Sequence, residues 1–349
     1  MDRFEDLTEP LLAWYSRSAR FMPWRADPTP YHVWLSEIML QQTRVSAAMP
    51  YYERFLKELP DVASLAACDD ERLMKLWEGL GYYSRARNLK KAALRIMEDF
   101  GGEFPSDPVQ IRSLPGIGDY TAGAILSIAV GVPEPAVDGN VLRIFSRITG
   151  DFSDITAEST REACRTRIRA CMPADAASDY TQALMELGAT VCLPNGAPLC
   201  DLCPAGDLCI ARRKGWIERL PVKTPSKPRR KENRNVFFVF YQGKVALRRR
   251  PKKGLLSGLW EFPNELSGVP FSDLGICGSE EDSLGTGIHV FSHIEWHMTS
   301  VCVRASSENL PDGYVWAGVS ELKDVYAIPS AFRDFMPSLE ERMKDSFCG

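Results

Sequence analysis

Two periodicities divide the chain. From the N-terminus to about residue 215, apolar residues recur at three and four positions, as in Leu11, Leu12, Trp14 and Tyr15 or Leu73, Leu76, Trp77 and Leu80. Pro60, Gly101–Gly102 and Pro105 punctuate these segments. The spacing predicts a mainly α domain. Further on, Val236-Phe237-Phe238-Val239-Phe240-Tyr241 and His297-Met298-Thr299-Ser300-Val301-Cys302-Val303 are β-branched and aromatic runs bounded by Gly, Asn or Asp. They predict strands in a second, α+β domain. Between the two, residues 221–231 (PVKTPSKPRRK) combine proline and positive charge with almost no apolar content, the composition of a linker. The expected organisation is a helical domain over 1–217, a basic linker over 218–232 and an α+β domain over 233–349. A length of 349 residues agrees with two domains.

Composition adds limits. Hydrophobic residues at 45% and charged residues at 25% are ordinary for a soluble globular protein. No apolar run reaches the roughly 18 residues that span a bilayer, and the stretch Ala122 to Val132 is a core helix by length. The N-terminus, MDRFEDL, is acidic and lacks the apolar core of an export signal, so the cytoplasm is the expected compartment. Net charge is −4, but its distribution is uneven: from Arg212 to Lys253 there are 16 Lys/Arg against Glu218 and Glu232. A block this basic is either the footprint of a polyanion or a solvated linker, and the sequence leaves both open.

Six of the ten cysteines, Cys68, Cys164, Cys171, Cys277, Cys302 and Cys348, stand singly and read as buried small hydrophobes. The other four, Cys192, Cys200, Cys203 and Cys209, form C-x7-C-x2-C-x5-C with prolines 194, 198 and 204 between them. Short spacers let the backbone loop around one compact metal centre. They do not match the paired C-x2-C knuckles of zinc ribbons, so a [4Fe–4S] cluster is the better assignment and zinc the alternative. With Cys at all four positions no coordination site is left open for chemistry, and the adjacent Arg212-Arg213-Lys214 reads as a basic loop that meets phosphates.

Candidate chemistry gathers in three places. Leu114-Pro115-Gly116-Ile117-Gly118-Asp119-Tyr120 is a tight turn leading into an apolar helix, in which Gly116 and Gly118 permit positive φ and close approach of a phosphate backbone. Asp138, in Val137-Asp138-Gly139-Asn140-Val141, precedes a periodic helix (Val141, Leu142, Ile144, Phe145, Ile148) and fits an N-cap, a role that does not preclude catalysis. Glu37 lies in Trp34-Leu35-Ser36-Glu37-Ile38-Met39-Leu40, on a face with Val33, Leu40, Gln41 and Arg44. Apolar surroundings raise a carboxyl pKa and make a proton donor; pairing with Arg44 or another cation is the structural alternative.

Together these motifs resemble the helix–hairpin–helix DNA glycosylases of the endonuclease III superfamily, and within it the adenine-specific MutY family. The stretches that carry the resemblance run almost from end to end: PW at 23–24, LSEIMLQQTRV at 35–45, GLGYYSRARNL at 79–89, LPGIGDYTAGAI at 114–125 and VDGNV at 137–141. The first cysteine spacer, seven residues, departs from the family's usual six. The resemblance implies a monofunctional enzyme of base excision repair. Its bifunctional relatives use a hairpin lysine to form a Schiff base, whereas the matching position here is Tyr120. It further implies a flipped adenine protonated by Glu37, an oxocarbenium-like sugar stabilised by ionised Asp138, and Tyr120 and Asn140 as positioning groups. Arg20, Trp24 and Gln182 match base-pocket positions, Gln42 and Tyr82 match residues inserted into the base stack, and Arg25, Arg85, Gly116 and Gly118 match substrate or DNA contacts.

The second domain carries Gly254-Leu255-Leu256-Ser257-Gly258-Leu259-Trp260-Glu261-Phe262-Pro263, which resembles the segment before the catalytic box of Nudix pyrophosphohydrolases. The box itself is absent, because NELSGVPFSDLG supplies no paired REx2E acids, and no nucleotide hydrolysis is expected. By resemblance this Nudix-like domain recognises 8-oxoguanine opposite the adenine, with Phe291, Ser292 and His293 in the reading loop. The implied partner is duplex DNA bearing A:8-oxoguanine or A:G, bound by a monomer without membrane association in a bacterial-type nucleoid. The resemblance also admits a monovalent or divalent cation at the hairpin. A pyrimidine glycosylase, a non-catalytic iron–sulfur DNA-binding protein and a nucleotide pyrophosphohydrolase are the competing readings.

Overall fold

The computed structural model describes residues 3–225 and 228–345; Ser226, Lys227 and Cys348 lie outside the described residues. Packing divides the chain into two units, Met1–Ala66 with Asn88–Pro225, and Ala67–Arg87 with Ser226–Gly349.

The first unit is helical. Its central element, Pro30–Leu40, is capped by Thr29, whose side chain accepts from the His32 N–H at 3.2 Å, and Pro30 supplies a preset φ at the first turn. Residues 33–39 of this helix are all buried, including Ser36 and Glu37, so it is a core helix without a solvent face. A second core joins Leu7 and Leu11 to Val141, Leu142, Ile144 and Phe145 of the helix Gly139–Thr149, and to Tyr180, Ala183, Leu184 and Leu187 of the helix Ala177–Thr190. The expected continuous helix over 122–132 differs in detail. It is α-helical at Asp119–Ala124 and then widens to a π-helix over Ile125–Val130, where the Ser127 hydroxyl donates to the Gly123 carbonyl at 2.7 Å. A side-chain hydroxyl competing for a backbone carbonyl, together with the wider turn, ends the run at Gly131 in the left-handed conformation.

The second unit is built on a mixed sheet of β1 (Arg230–Tyr241), β2 (Lys244–Arg249), β3 (Trp260–Glu261), β4 (Asn264–Leu266), β5 (Gly278–Glu280), β6 (Thr286–Val290), β7 (Ile294–Ala305) and β8 (Tyr314–Ala317). The order is β3-β2-β1-β7-β5, with β4 on β1, β6 on β7 and β8 on β2. The two runs read as strands from sequence, β1 and β7, pair in parallel at the centre, from Arg230 opposite Ile294 to Phe240 opposite Arg304. Alternation explains why β1 is apolar throughout its second half. Val236, Phe238 and Phe240 face Phe332, Phe335 and Leu339 of the C-terminal helices, and Phe237 and Val239 face Phe271 and Leu274 on the other side. A segment that is N-terminal in sequence, Ala67–Arg87, belongs to this unit. Trp260 Nε1 donates to Glu71 Oε2 at 3.0 Å, and Lys75 Nζ donates to the carbonyls of Leu322 and Tyr326, each at 3.0 Å. The Ile328 N–H donates to Glu78 at 2.7 Å.

Of the singly placed cysteines, Cys164 and Cys302 are buried as expected, Cys68 and Cys171 are half-buried, and Cys277 is exposed. It follows the 3-10 turn Phe271–Leu274 and precedes β5 at an edge of the sheet. No described helix is long and apolar enough to cross a membrane.

Candidate functional site

A cleft of ≈ 1550 Å³ in the first unit gathers most of the first unit's sequence-marked residues. Glu37 reaches it from the central helix, Tyr120 from the helix after the hairpin, Asp138 and Asn140 from the start of the helix Gly139–Thr149, and Gln182 from the helix Ala177–Thr190. Arg20, Trp24 and Arg25, from the short segment between the first helices, line its other side.

The two acids stand in opposite environments. Glu37 is 6% exposed, and burial pushes its carboxyl up to about 7; a hydrogen bond with Tyr120 and the Arg25 charge oppose the rise, while Asp138 adds to it. Tyr120 acts on Glu37 more strongly than the Arg25 charge does, and Arg44, named in the structural alternative, is not among the groups that shift it. Arg44 lines the same cleft, but Gln41 does not. Burial and the neighbouring carboxylates raise the Tyr120 hydroxyl well above its usual value, so it is a neutral donor. Asp138, by contrast, is surrounded by donors. Its Oδ1 accepts from the N–H groups of Asn140 at 2.9 Å and Val141 at 2.8 Å, as an N-cap does, and its Oδ2 accepts from Asn140 Nδ2 at 2.8 Å. The cap holds the carboxylate still without consuming its place in the cleft.

Behind Asp138 lies a chain of bonds that the sequence does not display. Asn140 Oδ1 accepts from Arg143 Nη2 at 2.9 Å, the same nitrogen donates to the Gly188 carbonyl at 2.9 Å, and Arg143 Nε donates to the carbonyl of Cys192 at 2.9 Å. The base-pocket side also contains a residue missed from sequence. Glu186 is fully buried and pairs with Arg20 Nε at 2.5 Å and Arg25 Nη2 at 2.8 Å. Its signal was available: an acid in the apolar run Ala183-Leu184-Met185-Glu186-Leu187, one helical turn after Gln182. Gln182 itself donates to the Ser178 hydroxyl at 3.1 Å, and Trp24 meets Tyr52 edge-on at 5.1 Å.

The hairpin glycines divide in role. Gly116 has φ +80°, and an added Cβ would lie 2.7 Å from the Asn88 Cβ, so both conformation and space require glycine. Gly118 differs from the expectation of positive φ: it is extended, with φ −94°, and a Cβ there would meet nothing within 4 Å. Gln42 is exposed and left-handed, with φ 58°.

The four clustered cysteines line one cavity of ≈ 390 Å³ with Ile144, Ile148, Leu187 and Val191. Arg147 Nη1 lies 3.3 Å from Cys192 Sγ, and the Arg212 N–H points to Cys209 Sγ at 3.5 Å. Among the described residues no group of three or more His, Cys, Asp or Glu is arranged around a single ion.

In the second unit a cleft of ≈ 1250 Å³ brings Tyr82 together with Phe291, Ser292 and His293. Tyr82 is 46% exposed and left-handed, with φ 45°, and its hydroxyl shares a hydrogen bond of 3.1 Å with Ser292 Oγ. Arg85, expected as a DNA contact, is buried; it donates to the carbonyls of Leu80 at 2.9 Å and Gly81 at 3.1 Å, and its charge lies over Trp77 and Tyr82. Its place is under the Gly79–Tyr83 turn, where it shapes that turn. Part of the basic block is paired: Arg230 and Arg234 with Glu232, Arg248 and Arg250 with Glu261, Arg249 with Glu71 and Arg212 with Asp201.

Comparison with known proteins follows the same division. Residues 35–170 match the model of the HhH-GPD superfamily base excision DNA repair protein, and residues 235–337 match the NUDIX domain. The chain is 32% identical to an adenine DNA glycosylase of Rattus norvegicus over 97% of its own length and 79% of that protein. It is 33% identical to one of Buchnera aphidicola subsp. Schizaphis graminum, over 90% of this chain and 93% of the relative. Among solved structures, a thermostable thymine-DNA glycosylase superposes with a TM-score of 0.55 at 25% identity, covering 60% of this chain and 97% of that one.

Proposed function

Since the chain belongs to the adenine DNA glycosylase family, we propose that it hydrolyses the N-glycosidic bond of adenine opposite 8-oxoguanine or guanine in duplex DNA, with Glu37 and Asp138 as its catalytic carboxylates. One observation carries the chemistry: two acids face one cleft in opposite environments, Glu37 raised to about 7 by burial and Asp138 held by three donors.

Neutral adenine leaves poorly, so the reaction needs a proton on the base before or as the bond breaks. Glu37 holds that proton near neutrality and delivers it to a ring nitrogen, N7 by resemblance. As the bond lengthens, positive charge grows on the sugar, and ionised Asp138 stabilises it. Water then adds to the sugar carbon, Glu37 accepts its proton, and the products are free adenine and an abasic site. Tyr120 cannot form a Schiff base, which leaves hydrolysis without strand cleavage. The pair Arg20 and Arg25, fixed by Glu186, and the ring of Trp24 enclose the extruded base. Gln42 and Tyr82, in backbone conformations that cost side chains energy, fit insertion into the stack. Phe291, Ser292 and His293 of the second unit read the opposing base.

Cys192, Cys200, Cys203 and Cys209 fit a [4Fe–4S] cluster: the donor set is all thiolate, the four share one apolar-walled cavity, and the Arg147 guanidinium and Arg212 N–H point at two of the sulfurs. When bound, the group supplies structural cross-linking of the loop. Arg143, bonded to the Cys192 carbonyl, then acts from this chain's own side by holding Asn140 against Asp138.

The test is adenine release under single-turnover conditions from A:8-oxoguanine, A:G and T:G duplexes by wild type, Glu37→Gln and Asp138→Asn. Release from the two adenine duplexes alone, lost by at least about 100-fold in both variants, is expected. No release of adenine, or full activity of Glu37→Gln, rejects the mechanism.

A further inference from the structure

The basic linker and the loop that reads the opposing base meet within the second unit. Phe291-Ser292-His293 joins β6 to β7, and the Phe291 N–H donates to the Ile294 carbonyl at 2.8 Å. The carbonyls of the loop are held from outside it. Arg229 Nε donates to the Phe291 carbonyl at 3.0 Å, and the Arg230 N–H donates to the His293 carbonyl at 3.0 Å. The Phe291 ring is fixed by Trp296 at 4.9 Å and His289 at 4.6 Å, while the side chains of Ser292 and His293 are exposed. Arg229 forms no ion pair among the described residues and spends its Nε on this one carbonyl.

That assignment of partners has a consequence. A charge-assisted bond to a carbonyl is directional and stronger than a neutral one, and a three-residue crossing between strands has few internal bonds to define it. The first backbone bond of β1 to the loop, through Arg230, is common to any sequence. The bond from Arg229 depends on the planar guanidinium, whose Nε–H direction a lysine cannot reproduce.

We propose that Arg229 is a positioning residue for lesion specificity: it fixes the Phe291 carbonyl and thereby the turn from which Ser292 and His293 address the base opposite adenine. This rests on the reading of the second unit given above. The rest of the enzyme does not need the bond, so release of adenine opposite unmodified guanine is independent of it.

Single-turnover adenine release from A:8-oxoguanine and A:G duplexes, measured on the full chain as wild type, Arg229→Ala and Arg229→Lys, tests the assignment. Hydrogen exchange of the 291–294 amides is measured on the same proteins. Both variants lose about tenfold of the preference for A:8-oxoguanine, with A:G within about twofold of wild type, and exchange in the turn accelerates. Preference retained in Arg229→Ala, equal losses on both duplexes, full rescue by lysine, or unchanged exchange each overturns the proposal. A wild type that shows no preference rejects the reading of the second unit itself, a result distinct from any of these.

Discussion

Glu37 carries a cost in the folded protein that its replacement removes. A carboxyl raised from 4.5 to about 7 keeps a proton that the unfolded chain has already released. Between those values the folded state binds more protons, so stability is fully present below about 4.5 and declines as pH rises through 7. The loss amounts to about 3 kcal/mol by pH 8. Glutamine fills the same space and has no charge to bury. Glu37→Gln should therefore match wild type most closely near pH 5 and exceed it by about 2–3 kcal/mol near pH 8 in urea unfolding followed by fluorescence. Equal differences at both pH values would show that Glu37 is not desolvated in the folded protein. At this scale the sequence is informative where a residue conflicts with its neighbours. An acid among Leu35, Ile38 and Met39 announces itself, as does Asp before a periodic helix. Arg143 and Arg85 do not, because arginine in a helix is ordinary on a solvent face, and only three-dimensional packing shows that both are buried and bonded to carbonyls.

At the scale of elements, the close approach of two helices sets the geometry behind Asp138. Gly188 of Ala177–Thr190 faces Asn140 of Gly139–Thr149, and an added Cβ would lie 2.7 Å from the Asn140 Cβ. Alanine at 188 gains about 0.5–1 kcal/mol of helix propensity, but overpacking costs about 1–3 kcal/mol. The steric term wins. Gly188→Ala should lose about 1 kcal/mol or more of stability and release adenine more slowly than its folded fraction explains, since Asn140 moves away from Asp138. Urea unfolding paired with single-turnover release checks this, and a variant that is both more stable and fully active refutes it. Element type was legible wherever one period runs unbroken: Gly139–Thr149, β1 and β7 all fall on the stretches that the pattern marks. The π-helix at Ile125–Val130 was not, because an apolar run has the same composition whether its turn holds the usual number of residues or a wider one.

For the whole molecule, chain order and packing order disagree at one place. The pattern Leu73, Leu76, Trp77 and Leu80 reads as one more helix of the N-terminal run, yet Ala67–Arg87 packs with the C-terminal unit. Periodicity reports that a face is apolar and says nothing of what covers it. Here the cover is specific. Trp260 bonds Glu71, Arg249 pairs with Glu71 at 2.7 Å, and the backbone near 322–328 bonds Lys75 and Glu78. Arg87 reaches the Ser257 carbonyl at 2.9 Å. A chain ending at residue 225 loses each of these partners while every helix that lines the cleft of Glu37 and Asp138 keeps its own core. Amides of Asp70–Leu76 should then exchange at least about 100-fold faster than in the full chain, as expected when about 3 kcal/mol of tertiary support is removed from a short helix. Those of Pro30–Leu40 should be unchanged. Protection retained across 70–76 in the shortened chain would mean that this segment is held by its own helical turn and by neighbours in sequence, and that its grouping with the sheet is incidental to its stability.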